Sequence, residues 1–248
     1  MARGGRMLLA MLLAFCASGV AAQERPSDPL AAARKARDDA DSRALQAEIQ
    51  RHEQELQKRP SLENWLRAAQ LLDWLCEAAR LSKDEKTLKR AAQAGVDAAE
   101  RAVALDAKSS EAHRWLGHHL GNLIAVTFMG GMRFGSRSTK ELDLALQLDA
   151  KNAEAQVSRA LAYYFAPGMF GGSKTEAERL LNRALELEPR NENARIWLAL
   201  VYNATKRKEE ALREIREARR INPARKYAQD VEDTISGKSK SATAGQRR

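Results

Sequence analysis

Two similar hexapeptides decide the fold of this chain: Ala184-Leu185-Glu186-Leu187-Glu188-Pro189 and, 34 residues later, Ala218-Arg219-Arg220-Ile221-Asn222-Pro223. Each closes a stretch whose apolar residues recur with the period of an α-helix. Related endings occur at residues 102–107 and 145–150. Seven residues before each leading alanine stands a small residue: Gly95, Ser138, Ala177 or Ala211. Positions seven apart share a helix face, so the pattern predicts helices that pack closely in a repeated unit.

A second helical stretch precedes each of the last three endings, at residues 112–117, 155–163 and 194–202. The pairs of stretches resemble the tetratricopeptide repeat (TPR) family, whose unit has 34 residues and two helices. The match is strongest in the final unit, where the family's positions are filled by Leu198, Ala199, Tyr202, Ala211, Ile215, Ala218 and Pro223. The resemblance implies an all-α, right-handed solenoid of about four TPR-like helix pairs. Alternating apolar and polar runs, which would indicate strands, are missing from the sequence.

The N-terminal residues are typical of a secretory signal peptide. Arg3 and Arg6 precede an apolar run from residue 7 to residue 20 that ends in Ala21-Ala22. We therefore expect cleavage after Ala22 and secretion across the inner membrane into the bacterial periplasm. A retained segment is the alternative.

Lipoprotein anchoring at Cys16 is the less favoured alternative, because Phe15 occupies the position that normally holds a small residue. The other cysteine, Cys76, lies in a helical stretch and is predicted to be a buried apolar residue.

The remaining chain divides into four predicted segments. They are an N-terminal polar helix or cap (23–59, helical from about 29 to 58), the TPR-like repeats (60–223), a C-terminal cap helix (224–235) and a disordered basic tail (236–248). The repeats shorten along the chain, with 47, 43, 39 and 34 residues between closing positions. We expect the extra residues at the turn inside each helix pair. Second helices are expected to begin at Ser82, Ser138 and Ser173, each followed by Glu three residues later.

Two of these turns combine glycine with apolar side chains. Their candidate binding residues are Phe128, Met129, Met132 and Phe134 in the first turn and Pro167, Met169 and Phe170 in the second. Neighbouring repeats would bring the turns together as an adaptable apolar surface for a protein partner or a small apolar ligand. Alternatively, the side chains pack on one another and only cover helix ends.

The second turn extends the family resemblance. Residues 163–173 are similar to a motif of the periplasmic T-component of TRAP transporters, and the likeness spans residues 109–223. That family pairs with a periplasmic solute-binding protein, so the resemblance implies such a partner and a role as transport accessory. The stretch from Ala112 to Ala150 is more weakly similar to the repeat domain of regulator-of-microtubule-dynamics proteins.

A second candidate surface is the concave groove that the family's geometry implies. Arg114, His118, Asn122 and Tyr164 would line it and contact an extended peptide or a helix. The C-terminal cap helix could instead fill the apolar end of this groove.

The charge of +9 is concentrated near the C-terminus, where residues 206–248 carry 13 Lys/Arg and 7 Asp/Glu. For an exported protein this predicts no nucleic-acid partner. The basic end could instead make peripheral contact with a membrane or bind an acidic partner, or it could simply be a solvated helix face followed by a disordered tail.

We expect neither catalysis, metal nor cofactor. No nucleophile, base and oxyanion site stand out together, and the four histidines lack metal-ligand spacing. Residues 168–175 nearly spell a phosphate-binding loop, but a helix cap at Ser173 explains them without a ligand.

Overall fold

The computed structural model describes Asp28 and residues 30–238, and within that range its regular structure is helical, with no strand. The predicted signal segment (1–22) and residues 239–248 of the predicted tail lie outside the described residues. The helices are α1 (Ala31–Asp38), α2 (Ser42–Lys58), α3 (Leu62–Leu81), α4 (Glu85–Leu105), α5 (Ser110–Val126), α6 (Gly130–Leu148), α7 (Ala153–Phe165), α8 (Lys174–Leu187), α9 (Glu192–Ala204), α10 (Lys208–Ile221) and α11 (Lys226–Ser236), with a 3₁₀ turn at Gly168–Phe170. The all-α prediction is confirmed.

Helices α3 to α10 form four successive pairs, and the small-residue stripe is where they touch. Gly95 on α4 lies so close to α5 that a Cβ atom there would stand 2.2 Å from Nδ1 of His119. Ser138 on α6 is buried and donates a hydrogen bond to the carbonyl of Gly117, at 2.7 Å. Ala177 and Ala211 are fully buried at the equivalent places in the last two pairs.

The position of the extra residues differs from the prediction in the first two pairs. Helices α3 and α4 have 20 and 21 residues, whereas α9 and α10 have 13 and 14. Only the third pair has a long internal turn, residues 166–173. Met132 and Phe134, predicted in the first glycine-containing turn, lie in α6 together with Gly130, Gly131 and Gly135. The helix can start here because Gly130 sits against the backbone of Ile124, where a Cβ atom would come within 2.8 Å of its Cα.

The predicted helix starts are confirmed once and wrong twice. Ser173 caps α8 through its Oγ, which accepts a hydrogen bond from the Glu176 amide at 3.2 Å. Ser82 instead ends α3, and Asp84 caps α4 by accepting from Thr87. Ser138 is in the middle of α6, where packing against Gly117 uses its hydroxyl.

The N-terminal cap consists of two helices rather than one. Ala40 adopts a left-handed conformation with φ of 53°, and Asp41 starts α2 by accepting hydrogen bonds from Arg43 and Ala44 at 3.0 Å. An alanine in this conformation reverses the chain and directs α1 back over α3. The C-terminal cap, α11, packs on α10 and α9 and ends at Gly237, close to the predicted bounds.

The core follows the pairs. One cluster joins α1 and α2 to the first two pairs, and two others hold the last pairs and α11 together. Cys76 is buried, as predicted, and burial raises the pKa of its thiol. None of the helices in the described residues is long and apolar enough to cross a bilayer.

Candidate functional site

The first helices of the pairs lie side by side and run parallel. At the start of α5 and α7, Asn152 donates to Ser110 at 3.0 Å, and farther along the same helices Ser158 Oγ lies 3.4 Å from Nδ1 of His118. Glu154, at the start of α7, accepts from Asn191 before α9 at 2.8 Å. These helices line the groove, the inner surface of the solenoid. Their C-terminal ends therefore meet along one side, which we name the turn edge.

Charged side chains in the groove bond to each other across the repeats. His118 lies 2.8 Å from Asp73 of α3, and Asn122 donates to the same carboxylate at 3.3 Å. Burial by itself would raise the pKa of Asp73, but His118 outweighs it and holds this pKa below its usual range. The order Asp73, His118, Ser158 resembles a catalytic relay. However, Ser158 is only 3% exposed on a helix, so its hydroxyl offers no approach to a substrate.

The other predicted groove residues are also engaged within the chain. The buried Arg114 is paired with Glu111, and its guanidinium lies 3.6 Å from the Trp115 ring centroid. Asn122 accepts from Arg80 of α3 at 2.9 Å. The structure thus brings Arg114, His118 and Asn122 together in the groove, where His118 and Asn122 join α5 to α3 while Arg114 pairs within α5.

Tyr164 lies at the apolar end of the groove. Its ring is 6.3 Å from that of Trp197 on α9, and Trp197 in turn is 6.2 Å from Tyr227 on α11. Burial raises the pKa of both tyrosines. The C-terminal cap helix therefore fills this end of the groove, which was one of the two alternatives.

The chain's own helix α1 occupies the other end. Ala33 and Ala36 are buried in the core cluster that contains α3, and the Arg37 guanidinium lies 5.2 Å from the Trp74 ring centroid. Arg37 also lies 3.8 Å from Glu192, at the start of α9. Asp38 accepts a hydrogen bond from Asn222, after α10, at 3.2 Å. Helix α1 therefore packs on the first repeat and contacts the last one through its C-terminal residues Arg37 and Asp38.

Arg225, between α10 and α11, closes the solenoid. This buried guanidinium donates to Glu77 of α3 at 2.5 Å and to Asn193 at 2.8 Å, and lies 3.0 Å from Glu192. Burial alone would lower the pKa of Arg225, but the two carboxylates raise it above its ordinary value. The last repeat is thus fixed to the first by a charged contact inside the groove.

Two cavities flank α1 and show that the helix leaves part of the groove open. One, of about 420 Å³, lies between α1, α3 and the last repeat, and is lined by Arg34, Arg37, Asp38, Gln70, Trp74, Glu192, Ile221 and Asn222. The other, of about 260 Å³, lies between Leu30 and the starts of α3 and α5. Within the described residues no cluster of three His, Cys, Asp or Glu side chains is arranged to hold a metal.

The apolar residues of the two turns are on the protein surface. Phe128, Met129, Met132, Met169 and Phe170 are between 54% and 92% exposed. At this exposure they do not pack on one another over the helix ends, and binding of a partner or ligand through them stays a prediction. Pro167 is also exposed, whereas Phe134 packs against the core of the first repeats under Arg133.

Parts of the groove that depend on distant residues could not be found from the sequence. Neither Arg225 nor Glu77 belongs to a repeat motif, and 148 positions separate them. Helix α1 gave a local signal in its paired alanines, Ala33 and Ala36, but this signal does not identify the surface that they contact.

With this geometry established, comparison with known proteins defines the class. Residues 174–232 match the family model described as tetratricopeptide repeat. The structure is similar to that of TTC0263, a thermophilic TPR protein in Thermus thermophilus, with a TM-score of 0.58 and 19% identity over 78% of this chain and 90% of that chain. The family match shows tetratricopeptide repeats over residues 174–232, and the structural similarity shows a TPR-like fold, as the sequence predicted.

Two further solved structures are similar at lower scores. YrrB, a TPR protein with an unusual peptide-binding site, has a TM-score of 0.44 and 16% identity, over 83% of this chain and 100% of that chain. MamA has a TM-score of 0.40 and 16% identity, over 77% and 94%. No curated protein matches the chain. The resemblance to the TRAP T-component stays a prediction.

Proposed function

We propose that this protein is an exported, non-catalytic scaffold of the bacterial periplasm that binds a protein partner in the groove now held by α1. The TPR fold is one that serves protein–protein interaction. The observation that carries the proposal is the position of α1, because a groove that holds one amphipathic helix has the shape and chemistry to hold another.

The contacts of α1 indicate what a partner would present. Small side chains at positions 33 and 36 allow close approach to α3, while Arg37 and Asp38 meet Glu192 and Asn222. A partner helix with two small residues on one face and an Arg-Asp pair beside them reproduces these contacts. Such a partner must displace α1. Because α1 is part of the same chain, its effective concentration at the groove is high, and the partner must compete against it.

Export and the identity of the partner rest on the N-terminal residues and on the resemblance to the T-component. We therefore propose a periplasmic solute-binding protein as the partner, with the repeat protein acting as a transport accessory. The groove residues Arg114, His118, Asn122 and Tyr164 support the site by fixing the inner helices in place.

The experiment is quantitative crosslinking in intact cells, followed by mass spectrometry, with wild type and Arg37→Glu. The substitution places a third carboxylate beside Asp38 and Glu192, so α1 should leave the groove and capture of the partner should increase. Arg43→Glu is the matched control, because Arg43 is exposed at the start of α2. Equal capture by all three proteins rules out competition with α1, and cell fractionation tests the export.

A further inference from the structure

Around the second and third helix pairs, the turn edge combines protruding apolar side chains with a local shortage of negative charge, whereas Asp84 and Glu209 lie beside the turns of the first and last pairs. No Asp or Glu occurs between Glu111 and Glu141, or between Glu154 and Glu176. These two stretches contain the turns that carry Phe128 and Phe170. The exposed aromatic and methionine side chains thus stand in stretches of sequence that carry no carboxylate of their own.

Basic side chains lie within one helical turn of these apolar residues. Arg133 is exposed beside Met132, and its guanidinium is 4.9 Å from the Phe134 ring centroid. Lys174 follows the second turn, is half-buried, and donates a hydrogen bond to the Tyr164 carbonyl while lying 3.9 Å from the ring centroid of the same residue. Arg137 is farther along α6 and shares an ion pair with Glu100 at 2.7 Å. Arg133 and Lys174 therefore supply the positive charge nearest to the tips.

Both turns face the same side of the molecule, because α5 and α7 run parallel and the turns follow their C-terminal ends. A planar surface can touch both at once. Met129 and Gly171, which lie in these two turns, have left-handed backbone conformations with φ of 54° and 83°. Phe128 is 92% exposed and Met169 is 85% exposed.

This arrangement suits a lipid surface better than a protein surface. Residues that dominate protein interfaces sit in well-packed neighbourhoods that a complementary partner completes. Isolated side chains that protrude from two turns need no complementary shape when they enter the boundary between headgroups and acyl chains. Nearby Lys and Arg then remain at the level of anionic headgroups.

We propose that the turn edge is a peripheral membrane-binding surface, in which Phe128, Met132, Met169 and Phe170 insert into an anionic bilayer beside Arg133 and Lys174. The basic C-terminal end predicted from sequence is a different surface. Binding through the turn edge leaves the groove accessible, so the scaffold can hold a partner at the membrane.

The test is sedimentation of the full chain with vesicles of phosphatidylcholine, with and without about 30% phosphatidylglycerol as the anionic lipid. Wild type should bind the anionic vesicles more strongly, and the binding should weaken as salt is added. Phe128→Ser combined with Phe170→Ser should reduce the partition coefficient about tenfold for each phenylalanine. Any contribution of the N-terminal segment is the same in all variants and cancels from the comparison.

Leu105→Ser is the matched control, because Leu105 is 54% exposed at the end of α4, on the opposite edge. It should bind like wild type. Equal binding of wild type and the double phenylalanine variant overturns the proposal. If that variant keeps its vesicle binding but loses a crosslinked protein, the turn edge is a protein interface, which also overturns it. Neither result bears on the groove, which the Arg37→Glu experiment tests separately.

Discussion

At the scale of single residues, the close approach of Gly95 to His119 decides how the first two pairs pack. We predict that Gly95→Ala lowers the free energy of unfolding by about 2 kcal/mol, because the added methyl group overlaps a buried ring. Gly135→Ala is the control, since a Cβ atom there meets nothing within 4 Å. It should raise stability by about 0.5–1 kcal/mol through helix propensity. Urea denaturation measures both, and similar effects of the two substitutions would contradict the packing.

His119 also predicts a dependence of stability on pH. Burial lowers the pKa of His119 to about 4, although Asp73 opposes the shift, while the unfolded chain has a value near 6.5. Between these values the unfolded chain binds more protons, so stability is fully present above about pH 6.5 and falls as the pH decreases towards about 4. The loss attributable to this residue is about 3 kcal/mol over the whole window.

Urea midpoints measured at about pH 7, 6 and 5, which span most of this window, check the prediction. His119→Gln should flatten the slope, because a glutamine amide can still donate to the Ala69 carbonyl, which His119 Nε2 contacts at 3.0 Å, without titrating. An unchanged slope in the variant would assign the pH dependence to other groups.

At the scale of elements, the connection between α1 and α2 stores strain that a glycine relieves. Ala40→Gly should raise the free energy of unfolding by about 0.5 kcal/mol, because the left-handed conformation costs alanine more than glycine. It should also slow hydrogen exchange in α1. Ala36→Gly, which removes a buried methyl group within α1, should lower stability. Faster hydrogen exchange of the α1 amides in Ala40→Gly would contradict the left-handed chain reversal at Ala40.

The elements could be predicted where local chemistry sets them. The apolar stripes and the cap at Ser173 located the last two repeats correctly, because these helices are short and end at strong signals. The earlier repeats were harder to place. Ser138 satisfies its hydroxyl on Gly117 in a neighbouring helix, and Gly130 tolerates the helical start of α6 only because of its contact with Ile124. Tertiary contacts of this kind override the local signals for caps and turns.

At the scale of the whole molecule, Arg225 joins the first and last repeats. We predict that Arg225→Met lowers the free energy of unfolding by about 3 kcal/mol, because it leaves the largely buried Glu77 without its cation and Glu192 with only the more distant Arg37. Arg220→Met, which breaks an exposed pair with Glu217 on one helix, should leave stability almost unchanged, because solvent screens that pair. If urea denaturation shows the same loss of stability for both substitutions, the contact of Arg225 with the first repeat contributes little to the free energy of unfolding.

The contacts made inside the groove could not be predicted, because they join residues that are far apart in the sequence and meet only in the folded protein. The repeat pattern placed Arg114, His118 and Asn122 in the groove, but it did not identify their partners Glu111, Asp73 and Arg80, two of which lie on another helix. The exposed residues Phe128 and Phe170 were easier to identify, since glycine-rich turns seldom bury their side chains.

The most direct test of the proposed function is whether the groove binds a helix in trans. The measurement is fluorescence anisotropy of a labelled peptide of residues 28–41, titrated with the full-length Arg37→Glu protein. We predict saturable binding to this variant and much weaker binding to wild type, whose groove its own α1 fills. A peptide carrying Ala33→Asp and Ala36→Asp should not bind. Equal binding of the two peptides would contradict a helix-binding groove. So would a failure of the peptide to bind the Arg37→Glu protein when hydrogen exchange shows that α1 has left the groove of that variant.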